Sequence, residues 1–234
     1  MDTDWQAVTV AALFPAADGL TELALDLRGT SLVGTHRRPG QYVRLALPGV
    51  GEGMFAIASA PEPGGTRWDF LLKGGSAVPD ALVHLPLGSA VQARAPEGEG
   101  FPLEAARGKD LLLFATGSGI SSIRSVIESV RRERAAYGEV TLYFGVRTPN
   151  AFAYANEFRH WEEAGIRVVR TVSQPGASDW QGLTGYVQAH VAEEHARGAE
   201  RTVAFVCGQS SMVQGVMQAL AQRGLPRERI FLNY

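Results

Sequence analysis

The stretch Leu111-Leu112-Leu113-Phe114-Ala115-Thr116-Gly117-Ser118-Gly119-Ile120 decides the architecture of this chain. Its apolar run ends in a Gly-x-Gly turn, and Ile120, Ile123, Val126, Ile127 and Val130 then recur at the spacing of one helix face. Buried strand, glycine turn and helix together cradle a phosphate. The glycines let the backbone approach it closely, and the helix N-terminus offers unpaired N–H groups and a partial positive charge. Two glycines in such a turn also meet purely steric needs, so on this stretch alone both readings stand.

Working outward, Val140-Thr141-Leu142-Tyr143-Phe144-Gly145-Val146-Arg147 reads as a second buried strand ending in Gly-x-Arg. Thr202-Val203-Ala204-Phe205-Val206-Cys207-Gly208 reads as a later one ending in Cys-Gly, with Met212 four residues on. Buried strands over 111–114, 140–144, 166–172, 202–206 and 229–232 alternate with helical stretches near 120–134, 153–163, 186–195 and 210–223. That alternation predicts an α/β unit with a five-stranded parallel sheet. Ligands of an open parallel sheet sit at the carboxyl ends of its strands. Thr116–Gly119, Gly145–Arg147, Ser173-Gln174 and Cys207-Gly208 all fall at such ends and converge on one cleft.

The first hundred residues have a different period. Val8/Val10, Leu23/Leu25/Leu27, Val43/Leu45/Leu47, Phe70/Leu72 and Val91/Ala93 are spaced two apart between Gly- and Pro-rich turns, the pattern of a small antiparallel β-barrel. The change of period after Arg107-Gly108-Lys109-Asp110 divides the chain into a barrel over residues 1–106 and an α/β domain over 108–234.

A chain of 234 residues with 45% hydrophobic content buries a core and fits two modest domains. A net charge of -2 and a pI near 6.2 give no electrostatic case for nucleic acid or an anionic membrane. Arg131, Arg132 and Arg134 around Glu133 read as a solvated helix end. The start Met1-Asp2-Thr3-Asp4-Trp5 lacks a leader pattern and no apolar run approaches bilayer length, so a cytoplasmic protein without membrane insertion is expected. The single cysteine, Cys207, excludes intrachain disulfides and a four-thiolate iron-sulfur cluster. No metal site is expected.

Ala115-Thr116-Gly117-Ser118-Gly119-Ile120, then Tyr143-Phe144-Gly145-x-Arg147, then Cys207-Gly208-x-x-x-Met212 and the terminal aromatic Tyr234 resemble the nicotinamide-binding half of the ferredoxin-NADP reductase-like superfamily. Pro39-Gly40-Gln41-Tyr42-Val43 and Phe55-Ala56-Ile57-Ala58-Ser59-Ala60-Pro61 resemble its flavin-binding half. The resemblance implies a flavoprotein oxidoreductase. It would transfer hydride between NAD(P)H and FAD and pass electrons to a separate, unidentified acceptor, a protein or a small molecule. It further implies that Thr116 and Cys207 flank the nicotinamide, that Gly117, Ser118 and Gly119 hold the pyrophosphate, that Met212 packs near the ribose or ring, and that Gly208 is a further cofactor-binding position. Arg147, with Arg170, is the cation available to a 2'-phosphate, because Gln174 stands where NADP-preferring relatives often have arginine. NADPH and NADH are left open. Cys207 and Tyr234 would be the catalytic positions, with Tyr234 covering the flavin ring and moving aside for the nicotinamide.

On the flavin side the chain departs from the family's Arg-x-Tyr-Ser/Thr: it has Gly53-Met54-Phe55-Ala56. Phe55 keeps an aromatic ring, but the guanidinium and hydroxyl are gone, forgoing roughly 1.5–3 and 0.5–1.5 kcal/mol respectively. Phe55, Ala56, Ile57 and Ala58 would hold the flavin together with the turn Lys73-Gly74-Gly75-Ser76, which precedes a short helix near Pro79. A subgroup of plant and bacterial reductase-like proteins has a similar Ala-Ile-Ala-Ser stretch. Ser122 stands where the family usually has proline, and little consequence is expected of it. The competing reading is a non-catalytic dinucleotide-binding or regulatory module that has lost flavin. The missing arginine and hydroxyl favour it; the Cys-Gly-x-x-x-Met motif and the terminal aromatic oppose it.

Overall fold

A computed structural model of the chain describes residues 4–191 and 198–233. Strands β1 (Gln6–Ala17), β2 (Leu20–Asp26), β3 (Tyr42–Leu47), β4 (Gly51–Ala56), β5 (Arg67–Lys73) and β6 (Ala90–Ala93) form one antiparallel sheet in the order β4-β3-β6-β1-β2-β5. The edges β4 and β5 meet where the chain leaves β4: Ile57 bridges Phe70, and the Ala58 N–H donates to the Asp69 carbonyl at 2.7 Å. That contact closes the sheet into a barrel and removes both edges. The residues spaced two apart in the sequence fill its interior, from Val8 and Val10 to Val91 and Ala93. The β1–β2 hairpin turns on Asp18-Gly19, where Gly19 takes the positive φ of +69° that a two-residue loop requires. Helix α1 (Ala77–Leu82), which joins β5 to β6 along the chain, packs on β4 and β3.

The second sheet is wholly parallel. It contains β7 (Asp110–Thr116), β8 (Val140–Val146), β9 (Ile166–Val172), β10 (Leu183–Thr184), β11 (Thr202–Cys207) and β12 (Ile230–Leu232), in the order β10-β9-β8-β7-β11-β12. Helices α2 (Ile120–Arg132), α3 (Phe158–Glu163) and α4 (Ser210–Gln222) supply the crossovers. Six strands replace the expected five because Leu183–Thr184 pairs with Thr171–Val172, a two-residue strand too short to show a period. The helical stretch expected near 186–195 is a 3-10 turn over Val187–His190, and 192–197 lie outside the described residues. The stretch 153–163 is helical only from Phe158, since Phe152, Ala153 and Tyr154 are buried in irregular chain before it. The last barrel strand ends at Ala93 and the first parallel strand begins at Asp110; the divide expected at 107 lies in the connection between them.

The two sheets share a seam. Leu20, Ala58 and Leu71 of the barrel belong to the same apolar cluster as Ile120, Ile123 and Phe205. Across it α2 reaches the segment after β4. The Ser121 hydroxyl donates to the Ala56 carbonyl (3.1 Å), the Arg124 guanidinium to Ala58 (3.2 Å), the Ser125 hydroxyl to Ser59 (2.7 Å) and Arg132 to Pro61 (2.7 Å). The donors recur at helical spacing, so one face of α2 satisfies a run of barrel carbonyls.

Candidate functional site

The strand order reverses between β7 and β11, which neighbour each other in the sheet, and in an open parallel sheet the carboxyl ends of two such strands are where a ligand crevice lies. Cys207 is in register with Ala115, and Thr116 with Gly145, so the motifs at 115–119, 145–147 and 207–208 lie side by side. Two glycines of the turn do different work. A Cβ at Gly119 would stand 2.5 Å from the Cys207 carbonyl oxygen, so its missing side chain lets the turn lie against β11. Gly117, at φ +52°, has nothing within 4 Å of that position, which leaves an open cradle at the start of α2. A Cβ at Gly208 would collide with Thr116 Oγ1 and Met212 Cε, so its missing side chain lets both lie close, and the Gln209 N–H donates to Thr116 Oγ1 at 3.4 Å. Thr116, Gly117, Ser118, Gly119, Cys207, Gly208 and Met212 are thus brought together, and an open glycine cradle at a helix N-terminus fits a dinucleotide's pyrophosphate.

Cys207 ends β11 with its thiol against Ser122 and Asn233; burial pushes that thiol above its ordinary pKa, with the polar side chains of both neighbours opposing the shift. Ser122 is buried in the first turn of α2, and its hydroxyl accepts from the Asn233 side-chain amide at 2.8 Å. The substitution for proline, expected to matter little, therefore supplies a bond that proline has no group to make. Tyr234 lies outside the described residues. Arg147 is exposed at the end of β8; its Nε donates to Gln174 Oε1 at 2.7 Å, and the Gln174 N–H donates to the Arg147 carbonyl at 2.8 Å. Gln174 thus holds the guanidinium at the sheet edge. Arg170 lies over the rings of Phe158 and Trp180.

The flavin-side residues are placed differently. Phe55 and Ile57 are buried in the barrel core, and the Phe55 ring lies against Gly53, 3.0 Å from where a Cβ there would stand. Phe55 therefore faces Val43 inside the barrel, while its neighbour Met54 is exposed. The carbonyls of Ala56 and Ala58 are engaged by α2. In the turn Lys73-Gly74-Gly75-Ser76, the Gly75 N–H donates to Asp80 Oδ1 at 2.9 Å, and Ser76 is the N-cap of α1 without a side-chain bond. This donor set fits a flavin in backbone groups and the Lys73 ammonium rather than in the arginine and hydroxyl of the family motif. The lost side chains are legible at Gly53 and Ala56; the inward turn of Phe55 follows from register, which no single position reveals.

A cluster at the seam leaves no signal in the sequence, because its members are far apart in it. Arg124 pairs with both carboxylate oxygens of Glu157 (2.8–3.1 Å), lies 3.8 Å from Asp69 and sits 4.8 Å over the Tyr154 ring. Burial works against its charge, but the hydrogen bonds and charge of Glu157 outweigh that and hold the guanidinium above its ordinary pKa. Glu22 faces the same cluster, and burial pushes its carboxyl up to about 7, with Arg124 opposing and Glu157 and Asp69 reinforcing the shift. Among the described residues no grouping of His, Cys, Asp or Glu suits a metal ion, and no helix is long and apolar enough to cross a membrane.

A barrel abutting a parallel sheet, with glycine and Cys-Gly motifs at the switch point, defines a dinucleotide-binding oxidoreductase architecture. Residues 113–218 match the oxidoreductase NAD-binding domain. The chain is 33% identical over 207 residues to ferredoxin–NADP reductase B of Sorangium cellulosum, covering 83% of each chain. It is 31% identical over 200 residues to sulfhydrogenase 1 subunit gamma of Pyrococcus furiosus, covering 84% of this chain and 67% of that one. The ferredoxin reductase in carbazole 1,9a-dioxygenase shares the fold at a TM-score of 0.82 and 21% identity, over 98% of this chain and 68% of that one. The chain belongs to the ferredoxin-NADP reductase-like family of NAD(P)H-dependent oxidoreductases, and its general activity is NAD(P)H-linked electron transfer.

Proposed function

We propose that the chain takes hydride from NAD(P)H at the β7–β11 crevice onto FAD lying between the barrel and the parallel sheet, and delivers the electrons to a separate acceptor protein. The observation that carries this is the convergence of Thr116–Gly119 and Cys207-Gly208 on one switch point facing the barrel seam. FAD, when bound, accepts two electrons as hydride and releases them singly or together. The chain's own task is positioning. Gly117 leaves room for the pyrophosphate, Thr116 and Cys207 flank the nicotinamide, Met212 packs behind Gly208, and the seam bonds of α2 hold the Ala56–Pro61 segment in place. Orientation of this kind is worth roughly 7–11 kcal/mol of barrier when geometry is right. Hydride moves as a proton with its electron pair, so the step calls on no side-chain acid or base.

On the flavin side the holding groups are the Phe55-Ala56-Ile57-Ala58 backbone and the Lys73–Ser76 turn, where a phosphate would compete with Asp80 for the Gly75 N–H. Flavin is therefore held more loosely than where the full motif is present. A protein acceptor is supported by the name of the Sorangium relative, a ferredoxin–NADP reductase. The test is purification in the presence of FAD followed by gel filtration. Co-elution of FAD with the protein is expected, and a colourless protein that still binds NAD(P)H would overturn the flavin assignment.

A further inference from the structure

Asn233 follows β12, and three distant segments meet on it. Its backbone N–H donates to the Val206 carbonyl at 3.2 Å, and its side-chain amide donates to the Gly40 carbonyl at 2.9 Å and to the Ser122 hydroxyl at 2.8 Å. Gly40 belongs to the barrel loop, Ser122 to the first turn of α2, and Val206 to β11 beside Cys207. The loop is itself braced. Gln41 Oε1 accepts the N–H groups of Arg37 and Arg38 at 2.9 and 3.0 Å, the Gln41 amide donates to Gly98 at 3.0 Å, and the Phe101 N–H donates to Pro39 at 2.7 Å. A hydroxyl buried as Ser122 is costs stability unless it is paired, and Asn233 pairs it. Both hydrogens of the Asn233 amide are used, one on each domain.

We propose that Ser122 and Asn233 are positioning residues for the reductase reaction: a hydroxyl–amide clasp that fixes the carboxyl edge of the nucleotide sheet, Thr116 and Cys207 included, against the barrel loop at Gly40. This rests on the transfer assigned above, which runs between ligands held by the two domains. Neither residue touches a reacting atom. The clasp sets the spacing of the nucleotide-holding edge from the barrel, on which the proposed transfer depends steeply. Losing Ser122 frees α2 alone, whereas losing Asn233 frees both ends. The two substitutions therefore act on one device and do not add.

The experiment compares Ser122→Ala, Asn233→Ala and the double variant with the parent, as full chains supplied with FAD. It measures kcat and KM for NAD(P)H with ferricyanide as acceptor, and amide hydrogen exchange of residues 38–42 without nucleotide. Asn233→Ala is expected to lower kcat about tenfold, part of the roughly hundredfold that a misplacement of about 1 Å costs, with KM changed less than about twofold. Ser122→Ala falls between it and the parent, the double variant matches Asn233→Ala, and exchange at 38–42 quickens in Asn233→Ala. Parental kcat and parental exchange in Asn233→Ala overturn the clasp. Should the parent itself fail to oxidise NAD(P)H, the assigned reaction is what fails; quickened exchange then still upholds the clasp, and unchanged exchange overturns it.

Discussion

Gly119 and Cys207 are in direct apposition: a Cβ on the first would stand 2.5 Å from the carbonyl oxygen and 2.9 Å from the carbonyl carbon of the second. The neighbour is backbone at the end of a central strand and has no room to give. Gly119→Ala is expected to cost about 1–3 kcal/mol by overpacking, read as a lower urea midpoint, and to weaken nucleotide binding as the crevice widens. Gly117→Val meets no neighbour but fills the open cradle at a positive φ, so it should raise the NAD(P)H KM strongly. Parental KM in Gly117→Val would remove the turn from the nucleotide site.

Arg124 is the charge at the centre of the seam, and Glu157 is its bidentate partner, with side chains 15% and 19% exposed. Glu157→Gln leaves that guanidinium only Asp69 at 3.8 Å and the Ala58 carbonyl, and is expected to cost toward the low end of roughly 3–5 kcal/mol, since the pair is not fully desolvated. Tyr154→Phe makes the opposite contrast. The Tyr154 hydroxyl is buried with no hydrogen-bond partner, so removing it should leave stability unchanged or raise it by up to about 1 kcal/mol. Urea titrations of the two variants check both signs.

The seam also fixes a pH dependence. Glu22 is raised from 4.5 to about 7, chiefly by burial, so the folded state binds its proton more tightly than the unfolded chain does. That contribution is present below about pH 4.5 and is lost as pH rises through about 7. His36 runs the other way. Burial lowers it from 6.5 to about 4 against the hydrogen bond its Nε2 makes to Arg38, so its contribution is present above about pH 6.5 and is lost as pH falls toward 4. Glu22→Gln should therefore gain on the parent between about pH 5 and pH 8, and His36→Gln should gain between about pH 7 and pH 4. Urea midpoints of parent and variant at those pH values check both, and a parallel response of parent and variant in either pair contradicts the assignment.

On the function proposed above, dinucleotide choice turns on Arg147 and Gln174, which hold each other just beyond β8 and β9. One guanidinium, already bonded to a neutral amide, discriminates weakly. The ratio of kcat/KM for NADPH and NADH should stay below about a hundredfold, roughly 2.7 kcal/mol. Gln174→Arg should move it toward NADPH by adding a second charge, and Arg147→Ala toward NADH.

How much of this was legible follows the range of each interaction. The β7–turn–α2 unit was readable because an apolar strand, two glycines and the helical spacing of Ile120 to Val130 are all local. The barrel interior was readable from residues two apart. Strand β10 was not, since Leu183 and Thr184 are ordered only by pairing with β9. The inward face of Phe55 depends on its register with Val43, and the bond at Ser122 depends on Asn233, 111 residues away. The Glu22–Arg124–Glu157 cluster joins three elements of two domains. Gly53 carries the same lesson for repair: restoring arginine there puts a Cβ 3.0 Å from the Phe55 ring, so Gly53→Arg with Ala56→Ser tightens flavin only if that ring moves.

The most direct test of NAD(P)H-to-flavin transfer is a single anaerobic mixing experiment. The FAD-supplied protein is mixed with one equivalent of NADPH or of NADH while the visible flavin band is followed, with no acceptor present. The expected result is bleaching of that band by either nucleotide, slowed in Gly117→Val and Asn233→Ala, and full recovery on admitting ferricyanide. A flavin band that stays unbleached in protein shown to bind both FAD and the nucleotide would contradict transfer between the two domains.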